Sequence, residues 1–154
     1  MSLEEKAKKL AEAEKERVNV DWNAERDWWL KALNALHQEI EAWLTPLKQK
    51  GLVAIKKTPV RLSEENIGAY AADALVLEFG PQGIVLQPAG TLIVGARGRV
   101  DMFRRGSRGE PLMLILAGSK QAAKWEIWPT RDPRQRKPMD QSTFEGVLES
   151  MLEA

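Results

Sequence analysis

Between Ala74 and Trp128 the chain is cut by glycine and proline into apolar runs of four to seven residues. No other feature constrains the fold as tightly. Connections this short leave no room for a crossover helix, so neighbouring strands must run antiparallel. In "ALVLEF", Leu75, Leu77 and Phe79 fall on one side and Glu78 on the other. "GPQG" follows, with Pro81 placed for a type I turn, and "QPAG" repeats that chemistry after "IVLQ". "TLIVG", "GRVDMF", "PLMLILA" and "KWEIW" continue the series. With "LVAIKK" after Gly51 the pattern predicts about six strands. Residues 63–73, "SEENIGAYAAD", are expected to form a short helix capped by Ser63.

Helical periodicity governs both flanks. Ser2 and Glu5 have capping-box spacing, and the run to Arg17 is rich in Ala, Glu, Lys and Leu. Its larger apolar positions are few (Leu3, Ala7, Leu10), so this polar third projects into solvent or pairs with a partner. "VNVD" interrupts it, and Asp21 can cap a new start. Trp22, Trp29, Leu36 and Trp43 then recur every seven residues, with Leu33, Ile40 and Leu47 in the alternate row. Such a stripe packs either on the chain's own sheet or against a second helix. Pro46 lies near its end, and Gly51 is placed to stop it. "PTRDPRQRKP" carries three prolines and reads as an extended crossing segment. Ser142 and Glu145 have capping-box spacing for a last helix, whose apolar stripe is Phe144, Val147, Leu148, Met151 and Leu152.

The expected architecture is therefore α+β: an antiparallel β-meander covered on one face by a long N-terminal helix and a short C-terminal helix. The N-terminal helical segment spans 1–50, with a polar arm over 1–17 and the heptad-patterned helix over 21–50. The sheet with its C-terminal helix spans 51–154, and residues 21–154 form one folding domain.

Composition narrows the chemistry. Cysteine is absent, which excludes disulfides, thiolate nucleophiles and Cys-based zinc sites. The single histidine, His37, sits beside the stripe and is expected to be solvated. Neither a GxSxG elbow, a Walker loop nor a strand–GxGxxG–helix unit occurs. The carboxylates Asp73, Glu78, Asp101 and Glu126 lie in or near strands, but they interleave with bases on the outward positions, as a solvated sheet face does. The expectation is a protein that is not an enzyme and has no metal or cofactor. No apolar run approaches the roughly 20 residues of a membrane span, and the first residues lack a secretory pattern, so a cytoplasmic protein is expected.

Two surfaces remain for binding. One is the N-terminal helix, with Trp22, Trp29, Leu36 and Trp43 as candidate contacts for a protein partner or a homo-oligomer. The other is basic. Residues 97–137 hold eleven Lys/Arg against four Asp/Glu, although the whole chain carries a formal net charge of only +1. Arg97, Arg104, Arg105 and Arg108 fall at loops or strand ends, and Arg131, Arg134, Arg136 and Lys137 lie on the proline-rich arm. Outward Phe103 and Trp128 offer stacking faces beside them, as single-strand binders do. The glycines of "GARG" and "GSRG" are explained by turns, and acidic residues among the bases oppose a strong positive field. The sequence points first to a non-catalytic interaction protein (adaptor, accessory subunit or immunity-type inhibitor), with a nucleic-acid-binding module as the alternative.

Overall fold

In the computed structural model, seven strands pair in the order in which they occur, each antiparallel to the next. The structure describes residues 2–19, 21–65, 67–90 and 97–153, without the side chains of residues 16–19. The strands are β1 (Ala54–Glu64), β2 (Gly68–Phe79), β3 (Gln82–Gly90), β4 (Gly98–Arg104), β5 (Leu112–Ala117), β6 (Lys124–Trp128) and β7 (Lys137–Pro138). The helices are α1 (Leu3–Asn19), α2 (Trp22–Gln49) and α3 (Gln141–Met151). This is the expected α+β meander, with one strand more than the sequence count.

The differences have local causes. Residues 63–73 are not a helix: β1 and β2 pair continuously from Ala54↔Glu78 to Glu64↔Gly68. Gly68 closes the hairpin at φ +85°, which L side chains rarely adopt. Pairing with Val60, Arg61 and Ser63 overrides the helical propensity of the alanines, and Pro59 marks β1 as an edge strand. The "QPAG" segment is no turn either; β3 runs through it with a register shift between Pro88 and Gly90. Phe79 pairs with Gln82, so the β2–β3 turn is Gly80–Pro81, with Gly80 at φ +59°. The "TLIVG" strand expectation falls on residues 91–96, outside the described residues. The proline-rich arm holds a single 3₁₀ turn, Pro133–Gln135, followed by β7 at the sheet edge.

α2 lies across one face of the sheet. Trp29, Leu33, Leu36, Ile40 and Leu44 are buried against Leu75, Leu77, Ile84, Leu86, Val100, Met102, Leu114, Leu116 and Ile127. The buried line advances from 36 to 40 to 44, whereas the heptad row predicted Trp43. A straight helix turns through 3.6 residues, so a strict seven-residue row drifts by ~20° per heptad and leaves the contact face. Trp22 and Trp43 at the ends of the row are accordingly half-buried. Trp29 packs on Trp125 with ring centroids 6.0 Å apart. It also lies on Gly98, where an added Cβ would stand 2.2 Å from Trp29 Cζ3. That glycine is required by close approach to a ring.

The helix ends are well specified. Ser2 and Glu5 satisfy each other's backbone amides, and Asp21 accepts from the Ala24 amide at 3.0 Å. At the far end of α2 the amides of Gly51 and Leu52 bond back to Lys48 O and Leu47 O, with Gly51 at φ +71°. α3 is capped by Asp140, not Ser142, because the Asp140 carboxylate takes the Thr143 amide at 2.8 Å. That hydrogen bond holds the Asp140 carboxyl below the usual carboxylate range. Phe144 and Leu148 face the core beside the end of α2.

Candidate interaction site

α1 is the first feature of the molecule that its own packing does not explain. Every side chain from Ser2 to Lys15 is exposed. Leu3 and Leu10 are 84% and 72% exposed, the two largest values among the large apolar residues described. Lys8 and Glu4 pair along the helix at 3.6 Å, an exposed contact of little energetic weight. None of the described side chains of α1 is buried against the sheet.

The second feature is an apolar groove of about 370 Å³ where the last turns of α2 meet α3. Trp43, Leu44 and Leu47 form one wall, Leu148 and Leu152 the other, and Phe79 the floor. Trp43 stacks obliquely on buried Phe144 at 5.7 Å, which fixes the position of the α2 wall. Glu145 and Glu149 stand one helical turn apart along one rim. Glu145 accepts from the Gln141 amide at 3.2 Å, and neither carboxylate is ion-paired among the described residues. Leu52, 56% exposed, follows immediately after the end of α2.

The sequence-derived contacts distribute unevenly over these features. Trp29 and Leu36 are 0% and 1% exposed in the chain's own core, so they are not contact residues for a partner. Their burial follows from the sheet being the surface the stripe was shaped for. Trp43 lines the groove, and Trp22 is half-buried at the first turn of α2.

The basic residues are largely answered by the chain's own acids. Arg104 meets Glu153 at 2.9 Å, Arg105 meets Glu78 at 3.5 Å and Arg136 meets Glu126 at 3.7 Å. Arg134 grips Asp132 through Nε and Nη2 at 3.0–3.2 Å, which holds the Asp132 carboxyl below its ordinary range. Arg97 donates to Gly118 O at 3.2 Å. Trp128 is half-buried and donates to Glu126 at 3.1 Å. Arg108, Arg131 and Lys137 are exposed. The stretch 105–109 does form the β4–β5 hairpin loop, with Gly106 at φ +85°.

On the open sheet face Arg99 and Asp101 pair at 2.9 Å, while Glu78 also receives Lys56 at 3.3 Å. These carboxylates are therefore each committed to a cation. His37 departs from expectation altogether. It is 2% exposed, because the β1–β2 hairpin is longer than the sequence suggested and reaches over it. Burial pushes its imidazole down to about 4, nearby Lys57 adds to this and Asp73 opposes it. It borders a cleft of about 290 Å³ with Asn34, Ala71 and Asp73, and its Nε2 has no hydrogen-bond partner among the described residues. Sequence reasoning also missed the α2–α3 groove, which depends on how two helices separated by the whole sheet converge.

Compared with known protein families, characterised proteins and solved structures, the chain matches none.

Proposed function

We propose that this chain is a non-catalytic interaction protein that binds another protein, or a second copy of itself, through its N-terminal helix. The observation that carries this reading is α1: seventeen residues of helix whose described side chains all face solvent. An isolated helix of about that length is marginal in water, because nucleation is costly and propensity alone returns little. A helix that shows two leucines two turns apart, and buries neither, is completed by a surface from outside the body. The contact element is thus the first helix, not the tryptophan stripe of the second. The arginines support nucleic acid less well, since Arg104, Arg105, Arg134 and Arg136 each face a carboxylate that a phosphate would have to displace.

The test is deletion of residues 1–17. The shortened chain is expected to keep its tryptophan emission and cooperative melt while losing oligomer mass or a captured partner. An unfolded product, or an assembly that survives the deletion, overturns the reading. Titration with labelled DNA and RNA at about 50 and 200 mM salt accompanies it; micromolar binding that collapses with salt would move the function to the basic hairpin.

A further inference from the structure

We infer that α1 of one copy docks in the α2–α3 groove of a second copy, and reciprocally, so that two chains exchange helices in a closed two-fold dimer. This rests on the reading of α1 as the interacting element and names its occupant and its receptor. The apolar residues match in number and in length. Leu3, Ala7 and Leu10 fall on one face of α1, and the two leucines stand about 10 Å apart along the axis. The groove follows α3 from Glu145 to Leu152, an equal span of about 10 Å. Among the described residues the three large apolar side chains left standing in water are Leu3 and Leu10 on the helix and Leu52 just after α2.

Charge fixes the orientation. Lys6 and Lys9 lie on one flank of the leucine stripe, exposed and outside any ion pair of the described residues. Glu145 and Glu149 line one rim of the groove in the same condition. Basic flank and acidic rim are complementary, and neither has an ion-pair partner among the described residues.

Reach excludes docking of α1 on its own chain. Leu10 precedes Asp21 by eleven residues and Leu3 by eighteen, about 17 and 27 Å of helix. The α2 wall of the groove, Trp43 to Leu47, lies about 33–39 Å beyond Asp21 along a straight helix. An α1 folded back along α2 would stop short of it. A second copy has no such limit, and two reciprocal dockings close the assembly without leaving a free α1 or a free groove.

Sedimentation analysis of the full chain tests this directly. The wild-type chain is expected to be a dimer. Leu3→Asp with Leu10→Asp, and separately Glu145→Lys with Glu149→Lys, should each weaken it by at least about a hundredfold. Lys6→Glu with Lys9→Glu should weaken it by a smaller factor. Mixing that lysine variant with the Glu145→Lys/Glu149→Lys variant should then restore a heterodimer, because both of its interfaces are again complementary. The restoration also shows that neither variant failed to fold. A wild-type chain that stays monomeric overturns the second copy as occupant, with the deletion of residues 1–17 still judging α1 against other partners. A dimer sensitive to Leu3 and Leu10 but indifferent to the groove charges overturns the groove and leaves the α1 reading standing. A dimer indifferent to both sets of substitutions overturns the inference and the α1 reading as a self-association device together.

Discussion

α1 and α2 follow one another in the chain and are both long helices, yet they are held by different physics. α1 is built from Ala, Glu, Lys and Leu, the residues that favour a helix without help. α2 contains seven β-branched, aromatic or histidine residues, Trp22, Trp28, Trp29, His37, Ile40, Trp43 and Thr45, and a proline at 46 through which the helix continues. Its intrinsic propensity is the poorer of the two. It is nonetheless the one fixed to the body, because Trp29, Leu33, Leu36, Ile40 and Leu44 bury fully on the sheet, each worth roughly 1.5–3 kcal/mol. The comparison teaches that a sequence can announce a helix most clearly where the fold needs it least. What separates a helix fixed to the body from one left in solvent is the width of the apolar stripe, not the strength of the helical signal.

The sharpest way to break this comparison is to cut one large side chain from each helix. Trp29→Ala removes a fully buried ring from contact with Trp125 and Gly98. It should lower unfolding stability by roughly 3–5 kcal/mol in a denaturant titration. Gly98→Ala approaches the same contact from the sheet side and should also destabilise, since its methyl has nowhere to go unless the ring moves. Leu10→Ala, measured at a concentration low enough to keep the chain monomeric, should leave the midpoint unchanged. A loss at Leu10 comparable to that at Trp29 would mean that α1 belongs to the core and that the two helices are not different in kind.

A second contrast is electrostatic. Of α1 and α2, it is α2 that carries a buried titratable group among the described residues, His37, packed beneath the β1–β2 hairpin with Lys57 and Asp73 as its charged neighbours. Its imidazole titrates at about 4 in the folded chain against an ordinary 6.5, so the unfolded chain binds the proton more readily. Stability is therefore fully present above pH 6.5 and falls as pH drops toward 4, by at most about 3 kcal/mol from this group. His37→Gln cannot take up that proton. The wild-type chain should lose more stability than the variant between those two pH values, and the difference between the two acid slopes is the quantity to measure. Parallel slopes would show that the imidazole is not held neutral.

Much of this was legible in the residues. Turn-length gaps dictated an antiparallel meander, period-two alternation put Leu75 and Leu77 on one face, and Asp21 and Gly51 marked the ends of α2 where they fall. What misled was local propensity where pairing decides. The alanines of "GAYAAD" favour a helix in isolation but take up β2 opposite Val60, Arg61 and Ser63. That one error hid a second, since a shorter hairpin would have left His37 in water. The groove and the pairs Arg104–Glu153 and Arg105–Glu78 join residues far apart in the chain, and no spacing rule reports them. The polar composition of residues 1–17 was the better guide to the exposed helix, because it stated what the fold would leave uncovered.

The smallest effect draws the finest distinction, because it applies one substitution chemistry to both helices. Asp21 caps α2 through the Ala24 amide at 3.0 Å, and Ser2 caps α1 through the Glu5 amide at 3.2 Å. Losing such an acceptor strands an amide at the helix terminus and typically lowers helix stability by about 1 kcal/mol. In α2 the first turn is coupled to the body: Glu25 pairs with Lys120, whose ammonium also lies over the Trp28 ring at 5.7 Å. Asp21→Ala should therefore lower global stability by about 1 kcal/mol, read as a shifted denaturant midpoint with unchanged slope. Ser2→Ala should leave that midpoint where it was and reduce only the helical circular dichroism signal, because unravelling α1 exposes nothing that folding had buried. Under conditions where the dimer forms, the same Ser2→Ala change should weaken association, since the ordering of α1 must then be completed on binding. A global midpoint that moved equally for both substitutions would place α1 in the same cooperative unit as α2.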